Sequence, residues 1–186
     1  MIKILTIIVP ADELFDERTS EFIPVKEHTL QLEHSLLSLS KWESRWHKSL
    51  LLNLEKGTLS SDEIIDYIKC MCVTRNVDPN VYRALTSSNM TEINAYLSDP
   101  MTATTISDNY SGGHSREIIT SELIYYWMIS CNIPFECEKW HLNRLITLIR
   151  VCSAKNSPRK KMSRGDVMRR NAALNAERRI QLNTKG

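Results

Sequence analysis

The chain opens on an Ile- and Val-rich run, Ile2 to Val9, closed by Pro10. β-Branched residues in such density favour a strand, and a proline without an N–H ends one. A polar, acidic stretch from Ala11 to Ser20 follows, and then His28-Thr29-Leu30-Gln31-Leu32-Glu33-His34 alternates polar and apolar positions. That period of two is the mark of a half-buried strand. The pattern predicts a two-stranded β element with a connection of about fifteen residues. Such an element is marginal alone, so it should pack on helices or pair with another chain.

From about Ser35 the period changes. Leu36, Leu39, Trp42, Trp46 and Leu50 recur every three or four residues, as on one face of a helix. Ser60 and Glu63 form a capping-box pair ahead of Ile64, Ile65, Ile68 and Met71, which predicts a second helix from Ser61 to Val73. Asp78-Pro79 announces a short helix through Leu85, and Thr91-Glu92 starts another that ends near Ser98. The Thr-, Ser-, Asn- and Gly-rich stretch from Asp99 to Arg116 is the best candidate for an internal loop, with mobility to match. Beyond it, Glu117 to Cys131 is apolar almost all round, so this helix is expected at a bundle centre or in an interface. After Pro134, a helix from about Glu136 to Asn156 carries the stripe Leu142, Leu145, Ile146, Ile149, Cys152, with Arg144 and Arg150 off it. Pro158 and Lys160-Lys161 read as a linker. Ser163, with Asp166 three residues on, caps a last helix whose apolar positions make only a weak stripe.

Charge divides the chain in two. From Lys155 to Gly186 there are ten Lys and Arg against Asp166 and Glu177, a balance of +8, and since the whole chain is +2, Met1 to Ala154 carries −6. An acidic body with a basic end suggests a packed domain and an attachment arm. The organisation expected is therefore residues 1–156 as a globular, mostly helical domain with a β-hairpin-like start, and 157–186 as a basic linker and helical arm. The fold class is α+β, predominantly α-helical, with the β element packed on a helical bundle and an extended basic C-terminal helix. Five Gly and six Pro are too few for an all-β sandwich or a fibrous chain. Five cysteines, an odd number, fit a reduced cytosolic chain. The opening apolar run is too short for a signal core and lacks a basic leader, and Leu123 to Cys131 spans only about half a bilayer. A cytoplasmic protein without membrane contact is expected.

Candidate chemistry is sparse. Cys70-x-Cys72 and Cys137-x3-His141 have metal-like spacing, yet a structural zinc site needs four ligands and no second Cys/His pair matches. Packing of small buried cysteines explains them better. No Gly-x-Ser-x-Gly, phosphate-cradling glycine loop or His-Glu-x-x-His is present. Gly112-Gly113-His114-Ser115-Arg116 has the composition of an anion-binding loop but reads more simply as a flexible one. The residues thus favour an interaction protein over an enzyme, with no cofactor and no metal implied. Trp42, Trp46 and Trp127 read as core anchors, whereas Trp140, amid Glu138, Lys139 and His141, can flank a groove for a partner helix. The candidate partner-binding set is Trp140, Leu142, Leu145 and Ile149, with Arg164, Arg169, Arg170, Arg178 and Arg179 on the basic end. That end has three readings: a solvated helix, a dock for an acidic protein surface including its own body, or a sequence-blind nucleic-acid contact. It holds no aromatic for base stacking.

Several stretches carry a resemblance when taken together: Thr29 to Leu36, Leu39 to Ser44, Asp66 to Met71, Ile118 to Met128, Trp140 to Leu145 and Asn171 to Ala176. The pattern resembles small proteins of the tail modules of long-tailed bacteriophages, commonly labelled tail assembly chaperones, and it covers nearly the whole chain. The resemblance implies a non-enzymatic role in the host cell cytoplasm. The protein would coat the long, helical, apolar tape measure protein and help tail tube subunits polymerise, with self-association in reach. It assigns no residue a role. The alternatives are a structural virion component, such as a connector or tube-associated protein, and a nucleic-acid-binding accessory that uses the basic end.

Overall fold

A computed structural model describes residues 4–16, 20–105, 117–156 and 163–183. Helices take up 59% of the described residues beside a four-stranded β element, so the class is α+β and mainly helical. The strands are β1 (Leu5–Val9), β2 (Asp12–Asp16), β3 (Glu21–Val25) and β4 (His28–Leu32). The helices are α1 (Leu36–Trp46), α2 (Leu50–Lys56), α3 (Ser61–Met71), α4 (Ser87–Ser98), α5 (Ser121–Ser130), α6 (Leu142–Asn156) and α7 (Arg164–Leu182). Short 3-10 turns occupy Pro79–Tyr82 and Phe135–Lys139. The chain divides into two compact units, residues 1–155 and 156–186. The linker expected around Pro158 to Lys161 and the glycine segment 112–116 lie outside the described residues.

The strands form one ribbon in two parts. β1 pairs with β4 antiparallel, from Leu5 opposite Leu32 to Val9 opposite His28. β2 pairs with β3 antiparallel, from Asp12 opposite Val25 to Asp16 opposite Glu21. Partner numbers add to 37 in both ladders, so a single register runs through, interrupted only at Pro10–Ala11 and Lys26–Glu27. At about 3.4 Å per residue the ribbon is about 40 Å long. Its inward positions change parity across the interruption: Ile7, Val9, Leu30 and Leu32 are buried on one side, and Val25 with half-buried Leu14 and Ile23 on the other. Asp12 lies three positions after Val9, an odd step that a regular pleat would send to the opposite face. The acidic stretch expected to break the β element therefore contains one of its strands, β2. Sequence periodicity misses β2 because Asp-Glu-Leu-Phe-Asp offers only two apolar positions, and those are adjacent.

The bundle covers the inner face of β1 and β4. On the outer edge of β4, the Glu33 N–H donates to the Met71 carbonyl at 2.8 Å and the Val73 N–H to the Gln31 carbonyl at 2.9 Å. On β1, Asn89 Nδ2 donates to the Ile8 carbonyl at 3.0 Å. α1 is started by a capping box of Ser35 and Ser38 and buries Leu36, Leu39 and Trp42. Trp42 is fully buried and its Nε1–H donates to the Glu63 carbonyl at 2.9 Å, which pins α1 to the first turn of α3. α3 begins with the Ser60–Glu63 box and buries Tyr67, Ile68, Cys70 and Met71.

The helix face that runs in sequence from Leu36 to Leu50 is split in two. His47 takes a left-handed conformation (φ 51°) that ends α1, and Ser49 caps α2 by accepting from the Leu52 N–H at 3.3 Å. α4 begins earlier than expected, at Ser87, because Thr86 and Asn89 form a reciprocal cap in which asparagine takes the place of glutamate. The helix expected through Leu85 is only a 3-10 turn. The start expected for α6 near Glu136 is likewise a 3-10 turn, and the helix proper begins at Leu142. Among the described residues, no helix is long and apolar enough to cross a membrane.

Candidate functional site

Among the described residues, a buried polar centre and a set of apolar or charged side chains left at the surface stand out. The polar centre gathers at the end of β4. His34 Nδ1 and the Tyr67 hydroxyl share a hydrogen bond of 2.6 Å. The His34 N–H donates to the Tyr96 hydroxyl at 3.3 Å, and the His34 carbonyl accepts from the Leu142 N–H at 2.9 Å. His141 Nε2 lies 3.0 Å from the Tyr96 carbonyl. A carbonyl only accepts, so the proton sits on Nε2. The rings of His34 and His141 meet edge to face at 5.0 Å.

All four side chains are buried. Burial, reinforced by the nearby His141, pulls the His34 imidazole down to about 3, and burial pushes the Tyr67 phenol above its ordinary range. A neutral imidazole against a neutral phenol, closed off from solvent, ties β4, α3, α4 and the start of α6 together. Cys137 and His141, spaced as a half-site for zinc, are both buried, and His141 is committed to Tyr96. Among the described residues no group of three or more His, Cys, Asp or Glu could hold a metal ion.

A second buried group is ionic. Glu43 accepts from the Leu50 N–H at 3.0 Å through one oxygen and from the Ser121 N–H at 2.7 Å through the other. One carboxylate thereby satisfies free donors in the first turns of α2 and α5, where the helix dipoles also favour negative charge. Ser49, at the same junction, donates to the Ile119 carbonyl at 2.7 Å. Glu63 is held by Lys48 at 2.6 Å and by the Ser60 N–H at 2.8 Å, and these bonds keep its carboxyl below the usual carboxylate range.

The sequence-derived partner set separates into three. Leu142, Leu145 and Ile149 are buried in the main core cluster, so the α6 stripe faces inward and lines no accessible groove. α6 has one apolar face, and the core takes it. Trp140 is half-buried, with the Arg144 guanidinium over its ring at 4.2 Å, an intramolecular cation–π contact that occupies the indole face. Arg164, Arg169, Arg170, Arg178 and Arg179 all lie on α7, which taken by itself buries no side chain. Ser163 caps that helix, accepting from the Asp166 N–H at 3.1 Å, and Arg169 pairs with Asp166 at 2.7 Å.

The sequence expects the apolar-all-round segment at a bundle centre or in an interface, and α5 leaves one side of it at the surface. Only Ser121, Ile124 and Met128 of α5 are buried, so the apolar-all-round segment is not central to the bundle. Tyr126 and Ile129 are 62% and 60% exposed, and Phe135, beside Tyr125 at 6.4 Å between ring centroids, is 56% exposed. Ile118 is exposed ahead of the helix. Tyr125 itself donates to Glu138 at 2.9 Å, and burial together with that carboxylate pushes its phenol up to about 12. Sequence reasoning missed the β2–β3 end of the ribbon. There Phe15 and Phe22 are opposed across the strands with ring centroids 5.2 Å apart, both at least half exposed. No protein-family model, no curated protein and no solved structure matches this chain.

Proposed function

We propose that this protein is a non-enzymatic assembly factor that shields an apolar helical partner. In the form implied by its resemblance to tail-module proteins, it is a bacteriophage tail assembly chaperone acting on the tape measure protein and promoting tail tube assembly. The observation that carries the reading is the row of Tyr126, Ile129 and Phe135 left at the surface along and just beyond α5. Scattered single apolar side chains at a surface are ordinary, but two spaced by one turn on a helix with a third just beyond it give a partner helix anchors. The sealed His34–Tyr67 centre supports the same reading, since its titratable groups are committed to holding elements together.

The test is co-expression with the tape measure protein of the same gene module. The expected result is that the partner stays soluble and co-purifies, and that Tyr126→Ser with Ile129→Ser abolishes both effects while leaving the far-ultraviolet spectrum unchanged. A partner that is equally insoluble with and without this protein ends the proposal.

A further inference from the structure

We propose that the β2–β3 tip of the ribbon is a docking surface for the basic C-terminal helix of a second copy of this chain. The tip is strongly acidic: the described residues from Asp12 to Glu27 hold five acids against Lys26, a balance of −4. Its outward face sets Glu13 and Pro24, opposite each other, beside the opposed pair Phe15 and Phe22. Phe22 is 67% exposed, and among the described residues β2 and β3 pair only with each other. Proline and acids along their outer edges disfavour strand-to-strand addition, so the tip is suited to side-chain docking on its face.

α7 has the complementary chemistry. Its cations are five arginines against Asp166 and Glu177, and Met168, Ile180 and Leu182 are exposed among them. Arginine stacks on aromatic faces and pairs with carboxylates at the same time, which the Phe15–Phe22 pair beside Glu13 would reward. A helix of 19 residues with charge on every side gains little from its own sequence and is stabilised by a surface that takes it up. Each copy carries one tip and one α7, so two copies exchanging them satisfy both surfaces in a closed pair. The charge split of the whole chain, −6 against +8, is the long-range form of the same complementarity.

Sedimentation of the full chain tests this. Dimers are expected at about 50 mM salt and monomers at about 500 mM, where exposed charges are screened within a few ångströms. A tip variant, Asp12→Lys with Glu13→Lys and Glu21→Lys, should be monomeric alone. A helix variant, Arg169→Glu with Arg170→Glu, Arg178→Glu and Arg179→Glu, should also be monomeric alone. Mixed one to one, the two variants should form a heterodimer, because each reversed surface meets its opposite. Should the reversed tip fail to fold, Phe22→Ser alone is expected to weaken dimerisation by roughly tenfold through loss of the stacking surface. The proposal is overturned if the wild-type chain is a monomer at every salt concentration, if its dimer survives both variants, or if the mixture stays monomeric. It is equally overturned if the helix variant loses only affinity for duplex DNA.

Discussion

Glu43 shows what one side chain decides. Its carboxylate accepts from the first turns of two helices at once, through the Leu50 and Ser121 N–H groups. An unsatisfied buried donor costs about 1–3 kcal/mol, so Glu43→Ala should destabilise the protein by about 4 kcal/mol. Glu43→Gln keeps one acceptor and should cost less than half of that. Urea denaturation of the three proteins would check the order, and a Glu43→Ala midpoint equal to the wild type would refute the role. None of this was legible beforehand. In the sequence Glu43 is a charge on the rim of an apolar stripe, and only the break at His47 turns it toward Leu50.

At the scale of elements, caps were the most legible feature and parity the least. Ser60–Glu63 and Ser163–Asp166 mark the starts of α3 and α7 in sequence and in structure alike. Thr86–Asn89 escaped notice because the pattern sought an acid at the third position. Its two members can be separated by mutation. Thr86→Ala removes a cap and should cost about 1 kcal/mol. Asn89→Ala removes the reciprocal bond and also the tether to the Ile8 carbonyl, so its loss in thermal unfolding should be clearly larger. The α6 stripe was legible as a helix face but not in its direction, since periodicity reports that a face is apolar and is silent on what covers it. For α7, a synthetic peptide of residues 163–183 should be less than half helical in water by circular dichroism, because a helix of this length without tertiary support is marginal. A fully helical peptide would mean that its caps and alanines suffice.

For the molecule as a whole, the buried titratable groups make stability a function of acidity. An unfolded imidazole titrates near its ordinary value of 6.5, whereas folded His34 takes up a proton only near 3, so between these values the unfolded chain binds more protons. Its contribution is complete above about pH 6.5 and declines steadily below. Glu63, held below its ordinary 4.5, adds a loss of the same sign as pH falls through its folded value. The urea midpoint should therefore drop between about pH 7 and pH 5, and His34→Gln should flatten that drop. A different consequence follows from the register common to both halves of the ribbon. Bringing β1 to β4 directly means closing the eighteen residues from Pro10 to Glu27. Once β2 and β3 have zipped, only the four residues of the two interruptions are left loose, a difference of about 1 kcal/mol in closure entropy. The far end of the ribbon, which adds little buried area, can thus set the pace at which the chain finds its native pairing. Phe15→Ser should slow refolding several-fold while leaving the unfolding limb of the chevron nearly in place.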